Sequence, residues 1–391
     1  MSDSQRYSAR GVSATKDEVH SAIKHLDKGL FPNAFCKILP DIGAGDPDYC
    51  TILHADTAGT KASLAYVYWR ETGDTSVWKG IAQDAIVMNL DDMGCVGCTD
   101  AFLISNTITR NKHCIPGEVL SAIIEGAVEF CDRMRDLGIS IDHAGGETAD
   151  VGDIVRTVDV GFTAFGRMPR QAVLVNDIQE GDVIVGLASY GQATYEHTYN
   201  SGIGSNGLTS ARHDVLSKHY AALYPESFDP STPAAYVYSG SRRVDERIEI
   251  DGMPVTIGKL LLSPTRTYLP VLTRVFAEIG DHVHGLIHCT GGGQTKVSKF
   301  LPEPLMAKKD ALPEVPPVFQ LIQQESGADW KEMYQVFNMG IRMEIYLPEA
   351  HAPGAINIAR DFGIDAKVIG RVQPRAGHAV EVHASGAVLR Y

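Results

Sequence analysis

No stretch of about 18 apolar residues runs through the chain, so a membrane-spanning helix is not expected. The opening segment "MSDSQRYSARGVSATKDEV" has no apolar core for a secretory leader, which makes the cytoplasm the expected compartment. Cysteine is sparse too: the seven at 36, 50, 95, 98, 114, 131 and 289 are too irregularly placed for a disulfide framework. Positive charge is short, with 35 Lys and Arg against 48 Asp and Glu, a net −13, and no basic run. A nucleic-acid or anionic-membrane surface needs a concentrated positive stripe, so neither partner is expected. No G-x-x-x-x-G-K-[ST] occurs, and any ATP site is therefore not a P-loop.

What is present is an ordinary globular composition, 44% apolar and 21% charged, in a chain of 391 residues. That length exceeds what one core usually fills and predicts two α/β domains. Pro, Asn and Asp turn signals in "MPRQAVLVNDIQEGD" place the boundary near 172, dividing the chain into 1–172 and 173–391. In the first part, the spacing predicts a helix over 80–94 and another over 116–138, started by Pro116 and stopped by Gly138. Strands are expected over 52–56, in "ISIDHAGGETAD" and in "RTVDVGFTAFGRM". The second part reads as strand "VIVGLAS", helices "LTSARHDVLSKHYAAL", "RTYLPVLTRVFAEIG" and "PGAINIARDFG", and strand "KVIGRVQP". Residues 222–248, rich in Pro, Ser, Tyr and Arg, read as an insertion or lid.

The strand reading over 52–56 is that of a buried strand, and it stops at Asp56 before Thr-Ala-Gly-Thr-Lys. A carboxylate there costs desolvation unless it meets a cation or donors, and the strand ends of an α/β sheet are where ligands sit. Gly59 lets the backbone approach a phosphate and Lys61 can neutralise it, although a plain turn uses the same residues. On the helix 80–94, steps of seven and eight bring Asp84, Asp91 and Asp92 into one angular sector, which suits a divalent cation or, more commonly, a solvated face. Glu147, Asp150 and Asp153 follow Gly145 and Gly146. Mg²⁺ takes a few carboxylates plus phosphate oxygens, so Asp56, Asp92 and Glu147 form a candidate set on a nucleotide triphosphate; a Gly-Gly turn with a capping acid is the alternative. Gly291, Gly292 and Gly293 could cradle a phosphate through backbone N–H groups, or make a plain turn. Gly202, Gly204 and Gly207 match G-x-G-x-x-G without the flanking strands of a dinucleotide site, and Cys95 and Cys98 lack the second pair that structural zinc needs.

In this order the pieces resemble the AIR synthase (phosphoribosylformylglycinamidine cyclo-ligase) family. "DTAGTK" is similar to its Asp-Gly-Val-Gly-Thr-Lys, "DAIVMNLDDMGCVGCTD" to its helix ending in Asn-Asp, and "GGETAD" to its Gly-Gly-Glu-Thr-Ala-acid motif. "GSNGL", "SPTRTY", "LIHCTGGG", "FNMGIRM" and "IGRV" follow in family order. The resemblance implies an α/β (α+β) fold of two domains, with a mixed N-terminal sheet through which a homodimer forms. It also implies ATP and Mg²⁺ as cofactors and formylglycinamidine ribonucleotide as substrate. By the same resemblance Asp56, Asp92 and Glu147 hold the metal, and Asp56, Gly59, Thr60, Lys61, Gly145, Gly146, Glu147 and Gly291 to Gly293 bind the nucleotide or phosphate. Lys61, Asp92 and Asn206 are then the catalytic candidates. The chain departs from the family in a thin glycine loop, "PDIGAGDPD", and in "SYGQATYEHTYNSGIGSNG", where the family histidine is displaced and His197 is the candidate to replace it. Two competing expectations are another ATP-dependent synthetase or kinase of the superfamily and a silent nucleotide-binding regulator.

Overall fold

In the computed structural model, which describes residues 7–12, 21–375 and 377–391, the two parts of the sequence build two separate sheets. Most of the polar opening segment read above lies outside the described residues. Five strands make the first sheet: β1 (Leu39–Pro40), β2 (Tyr49–Thr57), β3 (Phe102–Arg110), β4 (Ile141–Asp150) and β5 (Val158–Pro169). Their order is β1-β2-β5-β3-β4, and only β3 and β4 run parallel. After β2 comes α1 (Lys61–Thr72), then α2 (Val77–Gly94), and between β3 and β4 lies α3 (Gly117–Asp136). The apolar stripe of α3, from Val119 through Ile123, Ala127 and Phe130 to Met134, is buried, as its 3.6-residue spacing predicts.

Among the described residues, helices cover one face of this sheet only. Cys50 and Ile52 of β2 are buried beneath them, whereas Leu53 is 64% exposed and Leu103 of β3 is 45% exposed. β2 is therefore half-buried rather than buried throughout, because alternate side chains point to opposite faces. The "GGETAD" segment also differs from the turn reading: it continues as the outer strand β4 through Asp150.

The second part begins with β6 (Val183–Ala188) and α4 (Leu208–Val215). The single helix expected over 208–223 is two, α4 and the short α5 (His219–Leu223). Leu216 and Ser217 between them turn extended to bridge Arg242 and Gly240, which breaks the helical ladder. The hairpin β7 (Arg247–Ile250) and β8 (Met253–Thr256) follows, then α6 (Ile257–Leu261) and α7 (Leu269–Ile279). Pro270 is tolerated in α7 because it occupies the first turn, where an N–H has no helical partner. The remaining elements are β9 (Gly285–His288), β10 (Leu305–Lys309), α8 (Pro317–Ser326), α9 (Trp330–Val336), β11 (Ile341–Leu347), α10 (Ala352–Asp361), β12 (Ala366–Pro374), β13 (Val380–Ala384) and β14 (Ala387–Arg390). The sheet order is β14-β13-β10-β12-β6-β11-β9. α7 and α10 pack together over it around Val271, Val275, Ala355 and Ile358.

Residues 222–248 do not hang over a cleft as a lid. Tyr224, Val237, Tyr238 and Val244 are buried, Tyr224 Oη donates to Glu71 Oε1 at 2.6 Å, and Tyr66 of α1 bonds Glu226. The segment is a strap that ties the second part to α1.

Candidate active site

Two of the three carboxylates of α2 do not face solvent. Asp84 and Asp91 are fully buried, and both are spent on the segment 263–268 that crosses from the second part of the chain. Asp84 Oδ1 accepts from Thr265 N at 2.7 Å, Thr265 Oγ1 at 2.5 Å and Lys61 Nζ at 2.9 Å. Lys61 Nζ also donates to Ser263 O at 2.6 Å. Asp91 accepts from Thr267 Oγ1 at 2.7 Å and from Tyr268 N at 3.1 Å, with Arg342 Nη2 at 3.9 Å. The solvated-face reading of this helix is thus corrected: two of the three acids form a docking seam between the domains. Lys61, expected at a phosphate, has its ammonium fully buried and turned onto Asp84, where it helps to hold this seam.

Asp92 is the acid left at an opening, with 16% of its side chain exposed. His288 Nδ1, from the end of β9, donates to Oδ1 at 2.7 Å, and His54 Nε2, from β2, stands 3.5 Å from Oδ2. Burial alone would raise the carboxyl; hydrogen bonds and charge from His288 and His54 outweigh it and hold Asp92 well below the usual carboxylate range. For His54, burial lowers and Asp92 raises, with a net rise. Neither histidine emerged as a candidate from the sequence. His288 sits three residues before the glycine run in "HCTGGG", which was the available signal; His54 had none.

Two glycine loops converge on Phe337. Gly207, at the end of "GSNG", has φ +78°, and a Cβ there would lie 2.4 Å from the Phe337 ring. Gly293, with φ +49°, would bring a Cβ within 2.4 Å of Phe337 O. Only glycine fits two such approaches. The next residue, Asn338, extends the anchor: its Nδ2 donates to Gly202 O at 2.8 Å, and its carbonyl accepts from Gln294 Nε2 at 2.6 Å. "FNMG" therefore holds "GSNG" and "TGGG" in one place. Asn206, Gly291 and Gly292 are half-buried there, so backbone N–H groups can meet an anion. Thr60, exposed after β2, reaches the same region through Thr209, with Oγ1 atoms 2.6 Å apart.

The expected Mg²⁺ set does not come together within one chain. Among the described residues no three His, Cys, Asp or Glu side chains are grouped to hold a metal ion. The registers explain this: Asp56 aligns with Phe162, Asn106 and Gly146, whereas Glu147 aligns with Thr107, Gly161 and Thr57 on the opposite face. Three strand spacings separate the two acids, about 14 Å. Asp56 is half-buried and accepts from Thr57 N at 2.7 Å; Gly59, Gly145, Gly146 and Glu147 are exposed. His197 lines a cavity of about 300 Å³ with Gln83, Arg133 and Tyr199, and that lining includes neither Asp92 nor the glycine loops. Cys95 and Cys98 are buried thiols.

Residues 36–168 match the family described as AIR synthase related protein, N-terminal domain, and residues 179–383 match its C-terminal domain. A phosphoribosylformylglycinamidine cyclo-ligase of Methanococcoides burtonii is 30% identical over 376 residues, 94% of each chain. The one of Methanocaldococcus jannaschii is 28% identical over 327 residues, 83% of this chain and 79% of its own. Among solved structures, the HypE-HypF complex shares the fold with a TM-score of 0.54 at 14% identity, over 97% of this chain and 99% of that one.

Proposed function

The chain belongs to the AIR synthase related family, and from that premise we propose that it closes the imidazole ring of formylglycinamidine ribonucleotide at the expense of ATP. The products are aminoimidazole ribonucleotide, ADP and phosphate. An amide oxygen is a poor leaving group, so ATP phosphorylates it to an iminophosphate; the substrate's amidine nitrogen then attacks that carbon, and phosphate departs. Such chemistry depends on positioning and on charge stabilisation. The observation that carries the reading is Asp92, presented at the domain junction by His288 and His54 in a chain matched to the family from residue 36 to residue 383.

In this reading Asp92 orients the reacting groups, and Asn206 with the backbone of Gly291 to Gly293 receives a phosphate. Gly59, Thr60, Gly145 and Gly146 border the nucleotide. Lys61 acts through the Asp84 seam. Mg²⁺ accompanies ATP as its counter-ion, and no step is assigned to it, because Asp56, Asp92 and Glu147 do not meet in one chain. The division into 1–172 and 173–391 fits the gap between Pro169, where the first sheet ends, and Val183, where the second begins.

The uncovered face of the first sheet supports a homodimer paired through its strands. Leu53 and Leu103 stand exposed on it, and an apolar sheet face of this kind calls for a cover. No described helix is long and apolar enough to cross a membrane, and the expected cytoplasmic site stays part of the proposal.

The test is incubation with ATP, Mg²⁺ and formylglycinamidine ribonucleotide, measuring aminoimidazole ribonucleotide and ADP together. Equal amounts of both support ring closure. ADP without the imidazole product moves the activity to another ATP-dependent synthetase of the superfamily.

A further inference from the structure

His54 meets two residues of α2 that are one turn apart. Its Nδ1 lies 2.9 Å from Asn89 Oδ1, and its Nε2 lies 3.5 Å from Asp92 Oδ2. That Nδ1 carries hydrogen is decided by Asn89. The side-chain nitrogen of Asn89 donates to Ala85 O at 2.9 Å and to Phe162 O at 3.0 Å. A reversed amide would set its oxygen against two carbonyls, so the atom facing His54 is Oδ1, an acceptor. His54 Nδ1 must then donate, which fixes the ring with Nε2 facing the carboxylate of Asp92; the doubly protonated ring donates there as well.

We propose that His54 is a positioning residue for ring closure: locked by Asn89, it sets the orientation of the Asp92 carboxylate. The inference rests on the functional reading of Asp92 given above. Asn89 is fully buried and bonded to both α2 and β5, so it is a rigid anchor. Asp92, at the other end of the relay, is partly open. His288 grips Oδ1 closely at 2.7 Å, while Oδ2 has the looser partner, His54, at 3.5 Å. A partly exposed working group supported by a buried shell is the arrangement that pre-organisation requires. His54 therefore belongs to the site although it need not touch the substrate.

Two substitutions separate the halves of the relay. In His54→Asn the amide nitrogen replaces Nδ1, keeps the bond to Asn89 and loses Asp92. In His54→Gln the amide nitrogen reaches toward Asp92 in place of Nε2. The expected result is a kcat roughly 10- to 100-fold lower in His54→Asn, with KM for ATP little changed, and partial recovery in His54→Gln. Equal, wild-type kcat in both variants overturns the proposal, as does a loss that only follows the folded fraction measured by circular dichroism. Wild-type turnover scores the functional reading separately. Should that turnover be absent, ¹⁵N-histidine NMR of the whole protein still decides the relay: a bonded hydrogen on His54 Nδ1, with an Nε2 signal displaced in Asp92→Asn, supports it. A His54 Nδ1 without hydrogen overturns it.

Discussion

His288 Nδ1 donates to Asp92 Oδ1 at 2.7 Å across the junction between the two sheets, joining the last residue of β9 to the end of α2. The acid and the "TGGG" loop are thereby placed by the same strand end. A displacement of one domain against the other would part this bond.

Asp92→Asn keeps the size of the side chain and removes its charge. We expect kcat to fall about 10²- to 10³-fold, the scale on which one pre-organised electrostatic contact acts, with the far-ultraviolet circular dichroism unchanged. Near-normal product formation in a coupled ADP and aminoimidazole assay would refute the role of Asp92.

Lys61→Met leaves Asp84 buried without its cation. The expected loss is about 3–5 kcal/mol of stability, read as a lower urea midpoint. The double variant Lys61→Met with Asp84→Leu should recover much of it. An unchanged midpoint together with lost turnover would instead return Lys61 to the phosphate, as the sequence alone suggested.

Acid sensitivity should trace in part to His213. Burial first, then the charges of Arg212, Arg10 and Lys218, hold its pKa down to about 2, and Nδ1 accepts from Tyr238 N at 3.2 Å. An unfolded histidine titrates near 6.5, so between 6.5 and about 2 the unfolded chain binds the extra proton. The stabilisation from this group is complete above 6.5 and falls as pH drops through that window. Urea midpoints at about pH 7.5 and about pH 5 should differ more in the wild type than in His213→Gln. Equal differences would assign the acid sensitivity elsewhere.

Leu53→Lys with Leu103→Lys puts two charges on the uncovered face of the first sheet. Sedimentation should show a wild-type dimer and a folded monomeric variant. A wild type that sediments at the mass of one chain contradicts the dimer.

The sequence by itself determined the elements with strong local signals. Pro116 and Gly138 bounded a helix observed as Gly117–Asp136, and alternation in "RTVDVGFTAFGRM" marked β5. The family could be read from short motifs in order, because each is a backbone or charge requirement that survives change around it. The tertiary structure decided what those motifs do. Helical spacing placed Asp84, Asp91 and Asp92 on one side of α2, but spacing gives direction and not what packs there; segment 263–268 buried two of them and left Asp92 to two histidines from distant strands. Lys61 turned inward for the same reason, since an ammonium beside a buried carboxylate is held by that pair. Asp56 and Glu147 were separated by register, where a shift of one residue exchanges the faces of a sheet. These outcomes depend on long-range packing, which no local pattern of residues records.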